Sequence, residues 1–461
     1  MSRKRVFFLI LLVCTFALLF TYKIGSPPLF EEDEAKITEE AREILVTGDW
    51  VTLHLNFKPW FHKPPLYMWL TAATFAVFGV TEFTARIWSA LLSLGSILTV
   101  FFIARILYDE ATAGLSAIVL GSSLFFIALS RTAFVDTGLT FFISLSILFF
   151  LMSYREEKRR YFLLFSALAM ALATMTKGPL GIILPSATIF FYLILERNLK
   201  FLLHNIKEIL LSIIIYSAVA LPWWIAETML YGRTFLHDLF GDLMVGIYTS
   251  TFQKHAGPVY FYVLVILIGM LPWTFHVFKG TYEAFKKDER DRSLLLIAWA
   301  AVVFIIFSTA KTKVPGYILP IFPALSIMAA RSYMKSRIAP RVVILPLLVS
   351  VAFVIAATEF ILPAAETYFP SRMLVAEVSK STAGKDVTYF SYKTWFRASL
   401  VFYTRQKLTT IEDLDRLKTV LRGKDKVVIF TDEKAYAKIS DQVAPLTSFT
   451  KKSGELIAIG N

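Results

Sequence analysis

Carboxylates, histidines, lysines and tryptophans crowd the stretch from Leu29 to Tyr67, in a 461-residue chain that is otherwise 56% hydrophobic. The stretch opens with Glu31-Glu32-Asp33-Glu34 and closes with Lys58-Pro59-Trp60-Phe61-His62-Lys63-Pro64-Pro65. Carboxylates move protons or steer hydroxyl groups, and a lysine beside them binds an anion. Ionisable side chains are costly in hydrocarbon, so a membrane enzyme must gather them at the lipid surface. At least one of the four acids is expected to act chemically; capping and solvation of a helix N-terminus account for the others. Pro64-Pro65 fixes the backbone as it enters the membrane, holding His62 and Lys63 at headgroup level, where Lys63 either binds an anion or snorkels to lipid phosphate.

The elements that must position these groups are membrane helices. Only 18% of the residues are charged and 42 are Phe, which excludes an ordinary soluble core. The first apolar run, Val6 to Tyr22, follows a basic start and lacks a small-residue cleavage site, so it reads as a retained span. The single cysteine, Cys14, excludes an intramolecular disulfide and a cysteine zinc site. The net charge of +13 reads as basic cytoplasmic loops beside anionic lipid, with no nucleic-acid partner.

Further apolar runs lie near 84–104, 112–130, 133–153, 161–176, 178–195, 207–225, 258–278, 293–309, 315–331 and 341–363. With 65–80 read as a shallow or re-entrant helix, the chain has about 11 to 13 spans. The basic clusters Arg3–Arg5, Arg155–Arg160, Arg197–Lys207, Lys279–Arg292 and Lys335–Arg341 share one side if the N-terminus is cytoplasmic. The expected architecture is a polytopic α-helical membrane domain, 1–363, with outward loops at 25–63 and 227–257. Residues 364–461 read as a small extracytoplasmic α/β domain, because β-rich runs (387–392, 399–403, 426–430, 455–459) alternate with helical patterns (411–421, 432–439). The stripe Ile37, Ala41, Ile44, Leu45 predicts an amphipathic helix lying on the outer surface.

On this topology Lys63, Arg131, Lys177, Lys311 and Lys313 all reach the outer face from different helix ends. Cations there could bind an anion, or snorkel to lipid phosphate. Asp136 reads as the salt-bridge partner of Arg131, near the start of a span. His54, His62 and His255, with Glu227, Asp238 and Asp242, could hold a divalent ion such as zinc, although their spacing matches no compact motif. Most tryptophans read as interfacial anchors.

These residues also form an ordered set: Asp33-Glu34, then Ala41-Arg42-Glu43-Ile44-Leu45-Val46-Thr47-Gly48-Asp49-Trp50, then Phe61-His62-Lys63-Pro64-Pro65-Leu66-Tyr67. Arg131 with Asp136, Thr176-Lys177-Gly178-Pro179, Leu221-Pro222-Trp223-Trp224, Leu271-Pro272-Trp273 and Lys313-Val314-Pro315-Gly316-Tyr317 follow. Over about the first 335 residues the set resembles the GT-C membrane glycosyltransferases of the ArnT and protein O-mannosyltransferase superfamily. It is most similar to the bacterial branch that moves a sugar from a polyprenyl phosphate, including lipid A 4-amino-4-deoxy-L-arabinose transferases. The resemblance implies a GT-C fold, a catalytic Asp33 followed by Glu34, and Lys63 and Tyr317 at the carrier phosphate, with Arg131, Lys177, Lys311 and Lys313 beside them. Lys36, His54, Trp60 and Asp136 would serve the acceptor or the outer loop. Lys36-Ile37 stands where the arabinose transferases carry Arg-Tyr, and His62 where some members carry a metal-binding glutamate; His62 and His255 are the metal candidates left.

The resemblance therefore implies inverting transfer from a polyprenyl phosphate sugar to lipid A at the periplasmic face of an inner membrane. With a hydroxyl acceptor Asp33 would be the general base; with a phosphate acceptor, which carries about 1.5 to 2 negative charges already, it would orient the sugar. The alternatives are a protein O-glycosyltransferase using the same donor, and a transporter or lipid flippase. The last is disfavoured because ionisable residues avoid the helix centres.

Overall fold

The computed structural model describes residues 3–156, 159–239, 241, 246, 257–336, 343–382, 386–394 and 396–461. Internal contacts divide the chain into two units. One comprises 1–24, 61–70 and 86–354; the other comprises 25–60, 71–85 and 355–461. The polar segment 25–60 thus groups with the C-terminal residues.

The first unit is helical. Among the described residues five helices are long and apolar enough to cross a membrane: Glu82–Leu107, Val135–Arg155, Ile206–Tyr231, Lys287–Thr309 and Ile344–Ala364. Four shorter apolar helices, Val6–Thr21, Leu66–Phe78, Phe162–Lys177 and Leu180–Leu195, accompany them. Leu66–Phe78, of thirteen residues, lies within the run 65–80 that was expected as a shallow or re-entrant helix.

Three apolar runs depart from the single spans expected of them. The run 112–130 is two helices, Glu110–Gly121 and Leu124–Ser130, bent by 65° at a Ser122-Ser123 break. The run 258–278 is Phe261–Gly269 and Thr274–Ala284, bent by 118° across Pro272, which supplies no N–H to continue a helix. The run 315–331 begins as a 3-10 segment, Pro315–Ile321, and turns α-helical only at Phe322–Lys335, because Pro315 and Pro320 each remove a donor.

Helices in this unit approach closely at glycines. A Cβ on Gly280 would lie 2.2 Å from the Met328 carbonyl oxygen, so the helices Thr274–Ala284 and Phe322–Lys335 meet backbone to backbone.

In the second unit a five-stranded sheet has the order β4-β3-β5-β7-β6. Its strands are β3 (Val387–Tyr392), β4 (Thr409–Ile411), β5 (Lys426–Asp432), β6 (Phe449–Ser453) and β7 (Leu456–Gly460). A separate hairpin pairs β1 (His54–Leu55) with β2 (Lys58–Pro59). Strands β4, β3 and β5 are parallel, while β7 and β6 add antiparallel. The period-2 alternation of β5 builds two cores: Val428 and Phe430 pack with Leu374, Leu400 and Ala458, and Val427 and Ile429 pack with Leu417, Leu421 and Ile459. The run 399–403, expected as strand, is the helix Ala398–Thr404. A five-residue apolar run does not distinguish a buried strand from a buried helix, and here Ala398 to Phe402 are all buried.

Gly280→Val is expected to cost about 1–3 kcal/mol or more through overpacking. It should lower the thermal midpoint of the detergent-solubilised protein. Equal midpoints for Gly280→Val and wild type would overturn the close helix contact.

Candidate functional site

Asp33 opens the helix Asp33–Thr47, where the helix dipole favours a negative side chain. The residue before it, Glu32, is left-handed with φ 67°, and its carboxylate accepts from Lys36 Nζ at 2.8 Å. Glu34 is buried and its Oε2 accepts from the Phe30 N–H at 2.8 Å. Glu31 accepts from the Ser399 N–H at 3.2 Å and from the Ser399 hydroxyl, and burial raises its pKa against those bonds. Glu31, Glu32 and Glu34 are therefore held in place by neighbouring donors. Gly48 ends the helix in the left-handed conformation with φ 71°, returning its N–H to the Ile44 carbonyl.

This helix is not the surface amphipath that its apolar stripe suggests. Glu34, Glu39, Glu40, Arg42 and Glu43 are all buried, together with Ile37, Ala41 and Ile44. Buried charges must find partners. Arg42 forks onto Glu39 with Nε–Oε2 at 2.8 Å and Nη2–Oε1 at 2.6 Å. Glu43 Oε2 accepts from the Phe57 N–H at 2.7 Å. Burial, then the neighbouring Glu39 charge and its hydrogen bond, push the Glu43 carboxyl up to about 8. The carboxyl of Glu39 is likewise raised by burial and held down by Arg42.

In the first unit the expected phosphate cations divide into two groups. Lys313 is buried, and its ammonium donates to three carbonyls: Phe307 at 3.1 Å, Ser308 at 2.6 Å and Ala310 at 2.6 Å. It closes the C-terminal end of Lys287–Thr309, and those bonds use its three protons. Arg131 likewise reaches the end of the first helix, donating to Leu19 (2.7 Å), Phe20 (3.3 Å) and Tyr22 (2.7 Å) carbonyls. Arg86, which the sequence reading missed, donates to the Ile24 carbonyl at 2.7 Å from a fully buried position. Each cation neutralises the negative end of a helix dipole or its continuation.

Lys177 does something else. It is the last residue of Phe162–Lys177, it pairs with Asp136, and its Nζ lies 3.9 Å from the centroid of the Tyr317 ring. The salt bridge expected between Arg131 and Asp136 is replaced by this one. Arg131 follows one helix and Asp136 lies in the first turn of the next, so proximity in sequence does not bring their charges together. The turn carrying Tyr317 backs directly onto the pair: a Cβ on Gly316 would lie 3.5 Å from Asp136 Oδ2. Structure thus adds Asp136, expected on the acceptor side or in the outer loop, to Lys177 and Tyr317, which were both expected at the carrier phosphate.

Lys63 is half-buried and Lys311 exposed, both in the first unit, as is His62. Asp33, Glu34, Lys36, His54 and Trp60 belong to the second. Trp60 returns its N–H to Leu53 at 2.8 Å, and the buried Nδ1 of His54, in strand β1, has no hydrogen-bond partner among the described residues. His255 and Asp242 lie outside the described residues. Among the described residues no three His, Cys, Asp or Glu side chains come together as a metal site. The second unit also holds a polar cavity of about 780 Å³, lined by Glu31, Glu32, Thr394, Arg397, Asp432, Glu433, Lys434 and Glu455, at the carboxyl ends of β3 and β5.

The chain matches the family of dolichyl-phosphate-mannose-protein mannosyltransferases over residues 62–225. An uncharacterised protein of Aquifex aeolicus is 33% identical over 325 residues, covering 70% of this chain and 72% of that protein. The undecaprenyl phosphate-alpha-4-amino-4-deoxy-L-arabinose arabinosyl transferase of Yersinia enterocolitica is 30% identical over 330 residues, 69% of this chain and 58% of that enzyme. The crystal structure of ArnT from Cupriavidus metallidurans bound to undecaprenyl phosphate superposes with a TM-score of 0.83 at 20% identity, covering 98% of this chain and 97% of that one. The chain shares the fold of ArnT, and residues 62–225 match the mannosyltransferase family. It spans 63% and 72% of the two Aquifex relatives and 58% of the Yersinia enzyme. The fold expected from the sequence, GT-C helices with a small C-terminal sheet, is the fold found.

Two outcomes follow from these geometries. Asp136→Ala leaves the Lys177 ammonium without its buried partner and should cost about 3–5 kcal/mol. The double variant Asp136→Ala/Lys177→Met should recover part of that loss in detergent unfolding midpoints. A double variant no more stable than the single one would argue against the pair. For Glu43 the folded pKa lies above the ordinary 4.5, so the folded state binds more protons between pH 4.5 and 8. Its contribution to stability is greatest below 4.5, falls as pH rises towards 8, and levels off above. Glu43→Gln should remove that decline and raise the midpoint at pH 7, measured against wild type across the same window.

Proposed function

We propose that this protein takes a sugar from undecaprenyl phosphate and transfers it to lipid A at the periplasmic face of the bacterial inner membrane. The N-terminus would be cytoplasmic, and the chain from 364 onward would form a periplasmic domain. The observation that carries the reading is the kinship with arabinosyl transferases that use an undecaprenyl phosphate donor, joined to the presence in this chain of Asp33-Glu34 and Lys63 in the family's order.

In the proposed reaction the bond between the anomeric carbon and the carrier phosphate oxygen breaks. The phosphate leaves with the bonding pair, and an acceptor oxygen bonds to the opposite face of that carbon, inverting it. Lys63, Lys177, Lys311 and Tyr317 are assigned to the phosphate, whose negative charge grows as it departs. Lys313 and Arg131 are assigned to the helix ends they already close. Asp33 either accepts the proton of an acceptor hydroxyl or, with an acceptor that is already ionised, stabilises positive charge developing at the anomeric carbon. Lys36, His54, Trp60 and Asp136 are kept as acceptor-side and supporting residues, and a metal held by His62 and His255 is no part of this scheme. Residues 62–225 match a family described by protein mannosylation, and that favours protein O-glycosylation as the second reading.

The test is mass spectrometry of lipid A from cells with and without the protein, complemented by wild type, Asp33→Asn or Lys63→Ala. Loss of a sugar-sized mass on deletion, restored by wild type and by neither variant, is the expected outcome, with transfer reduced at least about a thousandfold in each variant. Unchanged lipid A on deletion would reject this acceptor in favour of protein, and full restoration by either variant would reject the assigned residues.

A further inference from the structure

Two neighbouring parallel strands of the sheet domain send the chain to opposite faces of the sheet. After β3 it runs into the helix Ala398–Thr404, whose Leu400 and Val401 pack on the face of Val428 and Phe430. After β5 it runs into the helix Glu433–Ala437, whose Tyr436, with Ile439 beyond it, packs on the face of Val427 and Ile429. Open α/β sheets carry their ligand crevice at such a point, outside the carboxyl ends of the strands. Here that position is hollow: the cavity of about 780 Å³ lies there, within the size range of small-molecule sites. Every residue that lines it belongs to the second unit.

The lining decides what can occupy it. Five carboxylates, those of Glu31, Glu32, Asp432, Glu433 and Glu455, share the wall with two cations, Arg397 and Lys434, and with Thr394. Lys36 pairs with Glu32 at 2.8 Å and Lys452 with Glu433 at 2.7 Å, so the surplus falls to a single negative charge. Arg397, whose side chain is 14% exposed, gives Nη2 to Glu455, while its buried Nε has no hydrogen-bond partner among the described residues. Glu455 is 67% exposed and can turn at little cost. Asp432 caps its helix through Oδ1, which accepts from the Ala435 N–H at 2.7 Å.

An anion in this cavity would meet five carboxylates, and a lone cation would meet Arg397 and Lys434. An apolar group would strip water from all seven charges. A sugar hydroxyl is donor and acceptor at once. A ring with adjacent hydroxyls therefore satisfies carboxylate oxygens and guanidinium N–H groups together, and needs no charge of its own.

We propose that this cavity is a saccharide-binding subsite, which takes a hydroxyl-rich sugar ring between Arg397 and the carboxylates of Asp432, Glu433 and Glu455. Glu32, on its wall, precedes Asp33 in the chain with about 3.8 Å between their Cα atoms, so the subsite adjoins the proposed reactive carboxylate. It rests on the glycosyl-transfer reading only for the source of its sugar, which is either a ring of the acceptor or the ring carried by the donor.

Saturation-transfer NMR on the full chain, in a detergent without a sugar headgroup, tests this with methyl glucoside and methyl galactoside as probes. Wild type should saturate the ring protons. Arg397→Lys keeps the charge but loses the fork, and Glu433→Gln keeps the shape but loses the charge; each should weaken the Kd about tenfold, the loss of one charge-assisted hydrogen bond. Thermal melts report whether each variant is folded, and the exposed Glu433 keeps the test available if Arg397→Lys is not. No saturation transfer in wild type would overturn the subsite, and undiminished transfer in both variants would overturn its place in this cavity. Displacement of the glycosides by equimolar inorganic phosphate or spermidine would overturn the recognition of hydroxyls. Initial rates with lipid A, and with the sugar-linked undecaprenyl phosphate that the lipid A mass difference identifies, then assign the source. In Glu433→Gln a raised KM for lipid A at unchanged kcat supports an acceptor ring, and a raised KM for the donor supports the donor's. Unchanged KM for both would overturn any part in transfer. A wild type that binds the glycosides but transfers nothing to lipid A would reject the proposed acceptor and leave the subsite standing.

Discussion

Helix carbonyls that end near a membrane surface have neither a following turn nor bulk water to satisfy them, and much of this protein's polar architecture answers that constraint. Lys313 takes three such carbonyls at one helix end, Arg131 takes those of Leu19, Phe20 and Tyr22 at the end of the first helix, and Arg86 takes that of Ile24. Lys313 folds back onto the helix just before it, whereas the two arginines come from elements remote in sequence. Arg131 and Arg86 therefore tie the end of the first helix to the later helices. Removing Lys313 or Arg131 would leave several carbonyl oxygens unsatisfied together. A structural demand on cations at these positions thus exists before any substrate arrives.

The second unit meets the same problem with side chains rather than carbonyls. A helix bearing Glu34, Glu39, Glu40, Arg42 and Glu43 would be expected to float its charges in water, yet all five are buried. Two devices make this tolerable: a forked Arg42–Glu39 pair, and a Glu43 carboxyl whose pKa burial pushes up while the Phe57 N–H donates to it. Arg372 plays a comparable part at the start of the segment, joining Glu366 at 2.7 Å and the Ser26 carbonyl at 2.8 Å. A buried polar network of this kind adds little stability over an apolar core, but it admits few alternative arrangements. That is useful in a helix whose first residue is the proposed catalytic aspartate.

Membrane helices, the polar stretch after the first of them and the α/β nature of the C-terminal residues were legible because long apolar runs and period-2 strands are statements about solvent. β3 lies where the run 387–392 placed it. What periodicity could not resolve was partnership. Arg131 and Asp136, five residues apart, read as a pair but belong to different helix ends. Lys313 reads like any other outward cation, because nothing in a one-dimensional pattern records that its side chain turns back towards Ser308. The acids of 34–43 read as a wet face because composition alone does not reveal that the hairpin and the sheet domain cover them. The signal that could have exposed it was Arg42 spaced three residues after Glu39, a spacing that allows a forked pair to be buried whole.

Commitment of this sort orders the cations by how cheaply each can be redirected to a ligand. Moving Lys313 would strand three carbonyls, and moving Lys177 would strand a buried Asp136. Lys36, by contrast, holds a Glu32 carboxylate that is 45% exposed, in a pair worth about 0–1 kcal/mol. A primary ammonium there offers a point charge where a guanidinium would offer a fork. Fold similarity at 20% identity does not choose a sugar. The choice falls to residues that can exchange their present partners for a substrate at little cost, and on that criterion Lys36 is better placed than Lys313 to distinguish this protein's substrate from those of its relatives.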